Sequence, residues 1–513
     1  MANRFLLKKI KAIFELDLRS LALYRIGIAF FTFGDLLLRA SDLKAHYTDG
    51  GVLPRSVLIS PPFLNPWRIS VHLMGGESWF QAVLFLITAV FAFMLLVGFR
   101  TRLASFFVWF LTVSVQARNP MILQGGDVFY RMALFFGMFL PLNGCCSVDR
   151  ALDLSRENKP ARVISAGTVG FILQVIFVYC FSVGVKLSKP ESRQIWLVQG
   201  MAVYNALNVD QFTRAFGYFL LGLPAGVLKF LNYYSFGVEF FAPLLLLLPF
   251  TKGVARMISI LLIGGLHLGM GTALSLGLFP FIGTVTLLPL IPGSVWNFLE
   301  SVFNRRGPGG GMVFLRQFSE KCVRRLPAKP LKLGLPLPAQ MIAGLSILYI
   351  LFWNFGTIGL PYNIPSRFRG IGQTFGFDQY WDMFSPPLTD DGWYVIPARL
   401  RNGREMDLFR GGRPIHWEKP RRVSWLYEHE RWRKYMMNLW SAANQGHRLY
   451  YGQYLCRKWN SAHPAAEALE EFHIFFMRED TAFYQSSVPR KVSVWRHFCF
   501  QVPDPLPPSK WET

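Results

Sequence analysis

Charge is scarce in this chain and unevenly signed: 17% of its 513 residues are charged, with 31 acidic side chains against 54 Lys and Arg. Soluble domains carry roughly 25% charged residues, and a chain that is 52% hydrophobic with 48 Phe is not a water-soluble globule. Cysteine is sparse too. Six in this length cannot build a dense covalent framework, which excludes a small disulfide scaffold. The soluble catalytic signatures are missing as well: there is no P-loop, Rossmann glycine fingerprint, HExxH, CxxC or nucleophile elbow. What the chain does have is apolar runs of about 16 to 20 residues, the length set by a hydrocarbon core about 30 Å thick.

The pattern predicts an all-α polytopic membrane bundle followed by a small α+β extramembrane C-terminal domain. Nine spans are expected, near 21–38, 80–98, 103–118, 128–142, 166–185, 233–250, 257–274, 276–291 and 338–356. Residues 1–20 form a basic amphipathic lead-in without a small-residue cleavage site, so they read as an interfacial helix rather than a signal peptide. With the N-terminus in the cytoplasm, the cytoplasmic connections hold about 21 Lys/Arg against about 10 in the opposite connections before residue 338. The net charge of +23 is then a matter of topology and of contact with anionic lipid headgroups, not of nucleic acid. The domains read as lead-in 1–20, transmembrane domain 21–295, basic cytoplasmic linker 296–337, last span 338–356 and extracytoplasmic domain 357–513.

Within the tail, DGWYVIPARL and REMDLF flank Arg401-Asn402-Gly403 at hairpin spacing. Residues 426–441 and 446–460 read as helices, and FHIFFM and VSVWRHFCF as strands. Cys456 and Cys499 either pair or remain as two buried thiols. Trp381, Met383, Phe384, Pro386 and Pro387 form a cluster suited to docking the domain back on the membrane surface or to capturing a substrate.

Ionisable groups inside a bilayer cost at least about 2.5–3.5 kcal/mol, so each one needs a partner, a cavity or a function. Arg25 and Asp35 in the first span are ten residues apart, about 15 Å along the axis, and cannot pair with each other; they read as structural groups that seek partners on other helices. Asp127 and Arg131 stand at i and i+4, the spacing of an intrahelical pair. Glu239 reads equally as a proton carrier or a structural acid. Lys186, closing the fifth span, is either a snorkelling anchor or, in a dry pocket, an amine of lowered basicity able to take a proton from a weak acid. His267 stands without a second ligand at metal spacing, so no metal site is expected. No Gly/Pro-broken helices recur in two corresponding halves, as inverted-repeat transporters show.

Taken together, four segments resemble the vitamin K-dependent γ-carboxylase superfamily and its bacterial relatives, the horizontally transferred transmembrane (HTTM) domain proteins. They are SLALYRIGIAFFTFGDLLLR with HYTDGGVLPR; GFRTR with RNPMILQGGDVFYRMALFFGMFLPL and Ser147-Val148-Asp149; VYCFSVGVKL; and His267 with Ser275, Gly277 and Phe279. The resemblance covers roughly residues 15–295. The family's lysine doublet is reduced here to Lys186 with Lys189 three residues on, and Met270 replaces an amide. The resemblance implies a multi-pass protein of a bacterial cytoplasmic membrane that uses a reduced quinone, menaquinol or vitamin K hydroquinone, and oxygen. A base so generated would modify a peptide or small carbon acid, making the protein a quinol-dependent lyase or monooxygenase. Lys186 would be the base and His267 its polar partner at developing oxyanion charge, with Asp127, Glu239 and Ser275 lining the pocket. The alternative is a non-enzymatic maturation or export factor that binds a secreted peptide or protein client through its C-terminal domain.

Overall fold

The computed structural model describes residues 2–153, 161–249, 253–304, 331, 333–480, 488–502 and 508–512. The lead-in forms helix α1 (Ala2–Phe14), with Phe5, Leu6, Leu7 and Ile10 exposed beside lysines. A two-residue strand, β1 (Leu16–Asp17), pairs with β2 (Arg162–Val163) and fastens the start of the first long helix to the start of the sixth. The bundle follows: α2 (Leu18–Ala40), α3 (Ser78–Val97), α4 (Thr101–Arg118), α5 (Gly125–Gly137), α6 (Ala166–Ser188), α7 (Ala225–Leu245), α8 (Val254–Ala273) and α9 (Leu337–Thr357).

Five of these helices, α2, α3, α6, α8 and α9, are long and apolar enough to cross a membrane, and counting two bent helix pairs as spans brings the number to seven. The expected count of nine is not confirmed among the described residues. Helix α5 has 13 residues and reaches only about 20 Å, and α4 is interrupted along its length by Ser105, Thr112, Ser114 and Gln116. Helix α5 packs inside the bundle and α4 turns its polar face inward, where such groups find partners. One bent pair joins Ala215–Leu221 to α7 at 119°, and the other joins Phe279–Leu290 to Gly293–Val302 at 83°. Broken helices are therefore present that the sequence pattern did not show; Pro224 and Pro292 stand at the breaks, where proline cannot continue the preceding turn.

Outward faces carry the lipid signal. Along α3, Trp79, Val83, Leu86, Val90 and Phe93 are exposed at helical spacing, and Leu337, Met341, Leu345, Leu348 and Phe352 repeat this on α9. Such stripes suit helices that meet hydrocarbon.

Residues 305–330 and 332 of the expected linker 296–337 lie outside the described residues, and its first part belongs to the helix Gly293–Asn304. The C-terminal unit is α+β. Strand β6 (Leu469–Asp480) is central: β7 (Arg490–Phe498) pairs along one edge, while β3 (Asp390–Val395) and β4 (Pro397–Leu400) share the other end to end, with β5 (Glu405–Asp407) beyond β4. The β4–β5 hairpin turns at Gly403, whose φ of +81° suits glycine. Helices α10 (Glu430–Trp440) and α11 (Arg448–Asn460) cover the sheet face formed by Phe472, Ile474 and Phe476. Cys456 of α11 and Cys499, just after β7, are disulfide-bonded.

This unit does not keep a core to itself. One hydrophobic cluster runs from Leu36, Tyr47, Phe85 and Ile122 of the bundle into Tyr435, Met436, Tyr451 and Phe472. The sheet and its helices are thus welded to the bundle end at which α2 finishes and α5 begins.

Candidate functional site

Tyr179, Ser182 and Lys186 stand at i, i+3 and i+7 on α6, so they share one face. Lys186 donates to Ser182 Oγ at 3.1 Å and is ion-paired with Glu239 of α7; its Nζ also lies 4.6 Å from the centre of the Trp196 ring. Ser182 Oγ donates to the same Glu239 oxygen at 3.1 Å. The side chain of Lys186 is 1% exposed and that of Glu239 13%, so the carboxylate is the member of the pair that opens outward.

It opens into a cavity of about 540 Å³, well within the range of small-molecule sites. Val178, Leu266, Met270 and Phe279 supply apolar wall, and Tyr179 and His267 supply polar atoms. The Tyr179 hydroxyl and His267 Nε2 are 2.8 Å apart, and Nδ1 has no partner among the described residues. A β-carbon at Gly283 would stand 2.2 Å from the His267 ring, so the glycine is what lets α8 and the Phe279–Val285 helix close around the imidazole.

The C-terminal unit forms the roof. Segment 382–390 crosses the cavity, fastened by Trp196 Nε1 donating to Phe384 O at 2.9 Å and by Lys189 Nζ donating to Ser385 O at 2.7 Å. Trp381 is buried edge-on to Phe129, and Met383 sits over Gly125. The aromatic and proline cluster therefore docks on the helices themselves and borders the cavity. Arg433 and Lys434 of α10 complete the lining; Arg433 donates to Gln211 O and Ser275 O, and burial pulls its guanidinium down to about 10. Burial also pushes the Asp382 carboxyl upward. Gly277, at φ +58°, turns the chain after α8 where a β-carbon would collide with Glu430.

Beside the cavity lies a four-charge cluster. Arg39 Nε donates to Asp35 Oδ2 at 2.7 Å, Arg39 Nη2 to Asp127 Oδ1 at 2.5 Å, and Arg39 Nη1 to the Tyr47 hydroxyl at 2.9 Å. Arg431 of α10 reaches in from the C-terminal unit and donates to Asp35 Oδ1 at 2.5 Å and to Asp127 Oδ1 at 3.2 Å. Two cations and two anions cancel, which is what burial of all four requires. Gln124 links the two sites: it caps α5 with Asp127, lines the cavity and donates to Glu430 at 3.3 Å.

The structure thus brings Glu239 and His267 to one cavity, sets Lys186 behind Glu239 outside the lining, and places the others elsewhere. Asp127 belongs to the charge cluster. Ser275 lies outside the cavity lining and offers its backbone carbonyl to Arg433. The expected Asp127–Arg131 pair does not form: Arg131 turns to Gly376 O and to Asp378, at 2.6 and 2.7 Å, because tertiary partners satisfy each group better than its helical neighbour. Arg25 donates to the carbonyls of Leu142, Cys145 and Cys146. Sequence reasoning missed Tyr179, Ser182, Arg39 and Arg431. The first three carried a signal, standing at helical spacing from Lys186 or Asp35; Arg431 carried none. No protein-family model, curated protein or solved structure matches the chain.

Proposed function

We propose that the protein is a membrane enzyme resembling the γ-carboxylase, in which the cavity beneath segment 382–390 takes a reduced quinone. The observation that carries this reading is the Lys186–Glu239 pair opening into an apolar chamber that also holds Tyr179 and His267. The residues fit such a group: the walls suit an apolar ring, the carboxylate accepts from a phenolic hydroxyl, and the Tyr179–His267 pair meets a second oxygen. A bound quinol, with oxygen, supplies the strong base that deprotonates a peptide or small carbon acid.

Glu239 takes a proton from a weak acid in the cavity, and Lys186 with Ser182 stabilises the carboxylate before and after transfer. Lys186, expected from the sequence to be the base, acts here through Glu239. His267 and Tyr179 orient the ligand and donate to developing oxyanion charge. The roof excludes water, which would quench a carbanion-forming step. In the orientation we propose, this roof faces the extracytoplasmic side and the N-terminus the cytoplasm.

The test is oxygen-dependent oxidation of menaquinol and phylloquinol by the protein in nanodiscs. Turnover in the wild type that is lost in Glu239→Gln and Lys186→Met supports the reading. Absence of wild-type turnover with both quinols overturns it and leaves the C-terminal unit as the client-binding part of a maturation factor.

A further inference from the structure

At the end of the bundle remote from the C-terminal unit, two adjacent cysteines face each other. Cys145 Sγ and Cys146 Sγ are 3.3 Å apart, Cys146 is exposed and Cys145 half-buried. Their place is set by α2: Gly144 packs on Leu18 at the start of that helix, whereas Asp35, which meets Arg431, stands 17 residues further along, about 25 Å away. The chain's disulfide, Cys456–Cys499, belongs to the C-terminal unit.

Three features of the loop are specific. Cys146 has φ +47°, a left-handed conformation that a side chain other than glycine's rarely adopts. That conformation is held by Arg25, which donates to Leu142 O at 3.0 Å, Cys145 O at 3.3 Å and Cys146 O at 2.5 Å. The Arg25 contacts bring positive charge next to the exposed sulfur. The hydrogen bond from Cys145, with the nearby Arg25, lowers the Cys146 thiol to about 6, while Cys145 moves upward. One sulfur is therefore exposed and disposed to ionise, and the other lies in contact with it.

We propose that Cys145 and Cys146 are a redox modification site that reacts with hydroperoxides and closes to a reversible vicinal disulfide. The Cys146 thiolate attacks the distal oxygen of the peroxide, the O–O bond breaks, and the leaving oxygen departs as water or alcohol after protonation. Cys146 is now a sulfenic acid. Cys145 sulfur then attacks Cys146 sulfur; the S–S bond forms, the S–O bond breaks, and water leaves with the Cys145 proton. Two thiols lose two electrons and two protons, and the peroxide is reduced. Closure reshapes two of the three carbonyls that hold Arg25, those of Cys145 and Cys146, so the modification is transmitted to the first long helix.

The experiment uses the full chain in nanodiscs with stoichiometric hydrogen peroxide, followed by maleimide labelling and mass spectrometry of the tryptic peptide Met132–Arg150. The expected result is loss of both labels, a peptide lighter by two hydrogens, and restoration by dithiothreitol. Cys145→Ser should stop at the first step and leave Cys146 trappable by dimedone, whereas Cys146→Ser should leave Cys145 fully labelled. Retention of both labels in the wild type, or dimedone capture at Cys145 rather than Cys146, overturns the proposal.

Discussion

Arg431 of the C-terminal unit lies 2.5 Å from Asp35 of the first long helix, 396 residues earlier in the chain. This contact makes the C-terminal unit part of the bundle's electrostatic balance. Removing Arg431 leaves Asp35 and Asp127 with Arg39 alone, an uncompensated buried charge. Arg431→Met is expected to destabilise the protein by about 3–5 kcal/mol, the usual cost of breaking a buried pair. Arg431→Met with Asp127→Asn should recover much of this, measured by thermal unfolding in nanodiscs. Equal stability of the single variant and the wild type would show that the cluster is not a structural tie.

Gly283 sets the position of His267. Gly283→Ala places a methyl group where the ring now stands, so the imidazole must move and its bond to Tyr179 must break. Overpacking of this kind costs about 1–3 kcal/mol. Quinol turnover should fall at least as far as in His267→Ala, and a Gly283→Ala protein with full turnover would remove His267 from the site.

Asp391 gives the C-terminal unit a pH dependence of known sign. Its carboxylate accepts from the Asp210 backbone and Gln211, but burial dominates and pushes its pKa up to about 6. The folded state then holds the proton more tightly than the unfolded chain, so stability from this group is complete below about pH 4 and is lost as pH rises through about 6. Asp391→Asn should flatten that slope in chemical unfolding curves between those two values. An unchanged slope would assign the dependence to other groups.

The Cys456–Cys499 bond closes a loop of sequence separation 43 between α11 and the end of β7. Replacing both cysteines by alanine is expected to cost the C-terminal unit about 2–4 kcal/mol. Protease sensitivity of the unit should rise accordingly, and because segment 382–390 roofs the cavity, quinol affinity should weaken with it.

Much of the architecture was legible in local pattern. Apolar run length located the helices that now carry outward apolar stripes, Asn402-Gly403 marked the β4–β5 turn, and the short apolar run FHIFFM marked the central strand. The span count was less legible, because a hydrophobic window cannot tell a 13-residue helix buried among others, such as α5, from one that meets lipid. Lys186, Glu239 and His267 were visible as ionisable groups in apolar surroundings. The meeting of Glu239 and His267 at one cavity, with Lys186 paired behind Glu239, was not, since they lie on three helices whose relative rotation no local pattern encodes.

The amino-acid order was enough to establish a helical bundle with an α+β tail, because hydrophobic periodicity and turn chemistry act over a few residues. Partner choice depended on the folded chain. Asp127 has Arg131 one helical turn away, yet it binds Arg39 and Arg431, because a buried charge takes the partners that neutralise it most completely. Those partners exist only once α10 has packed against the ends of α2 and α5.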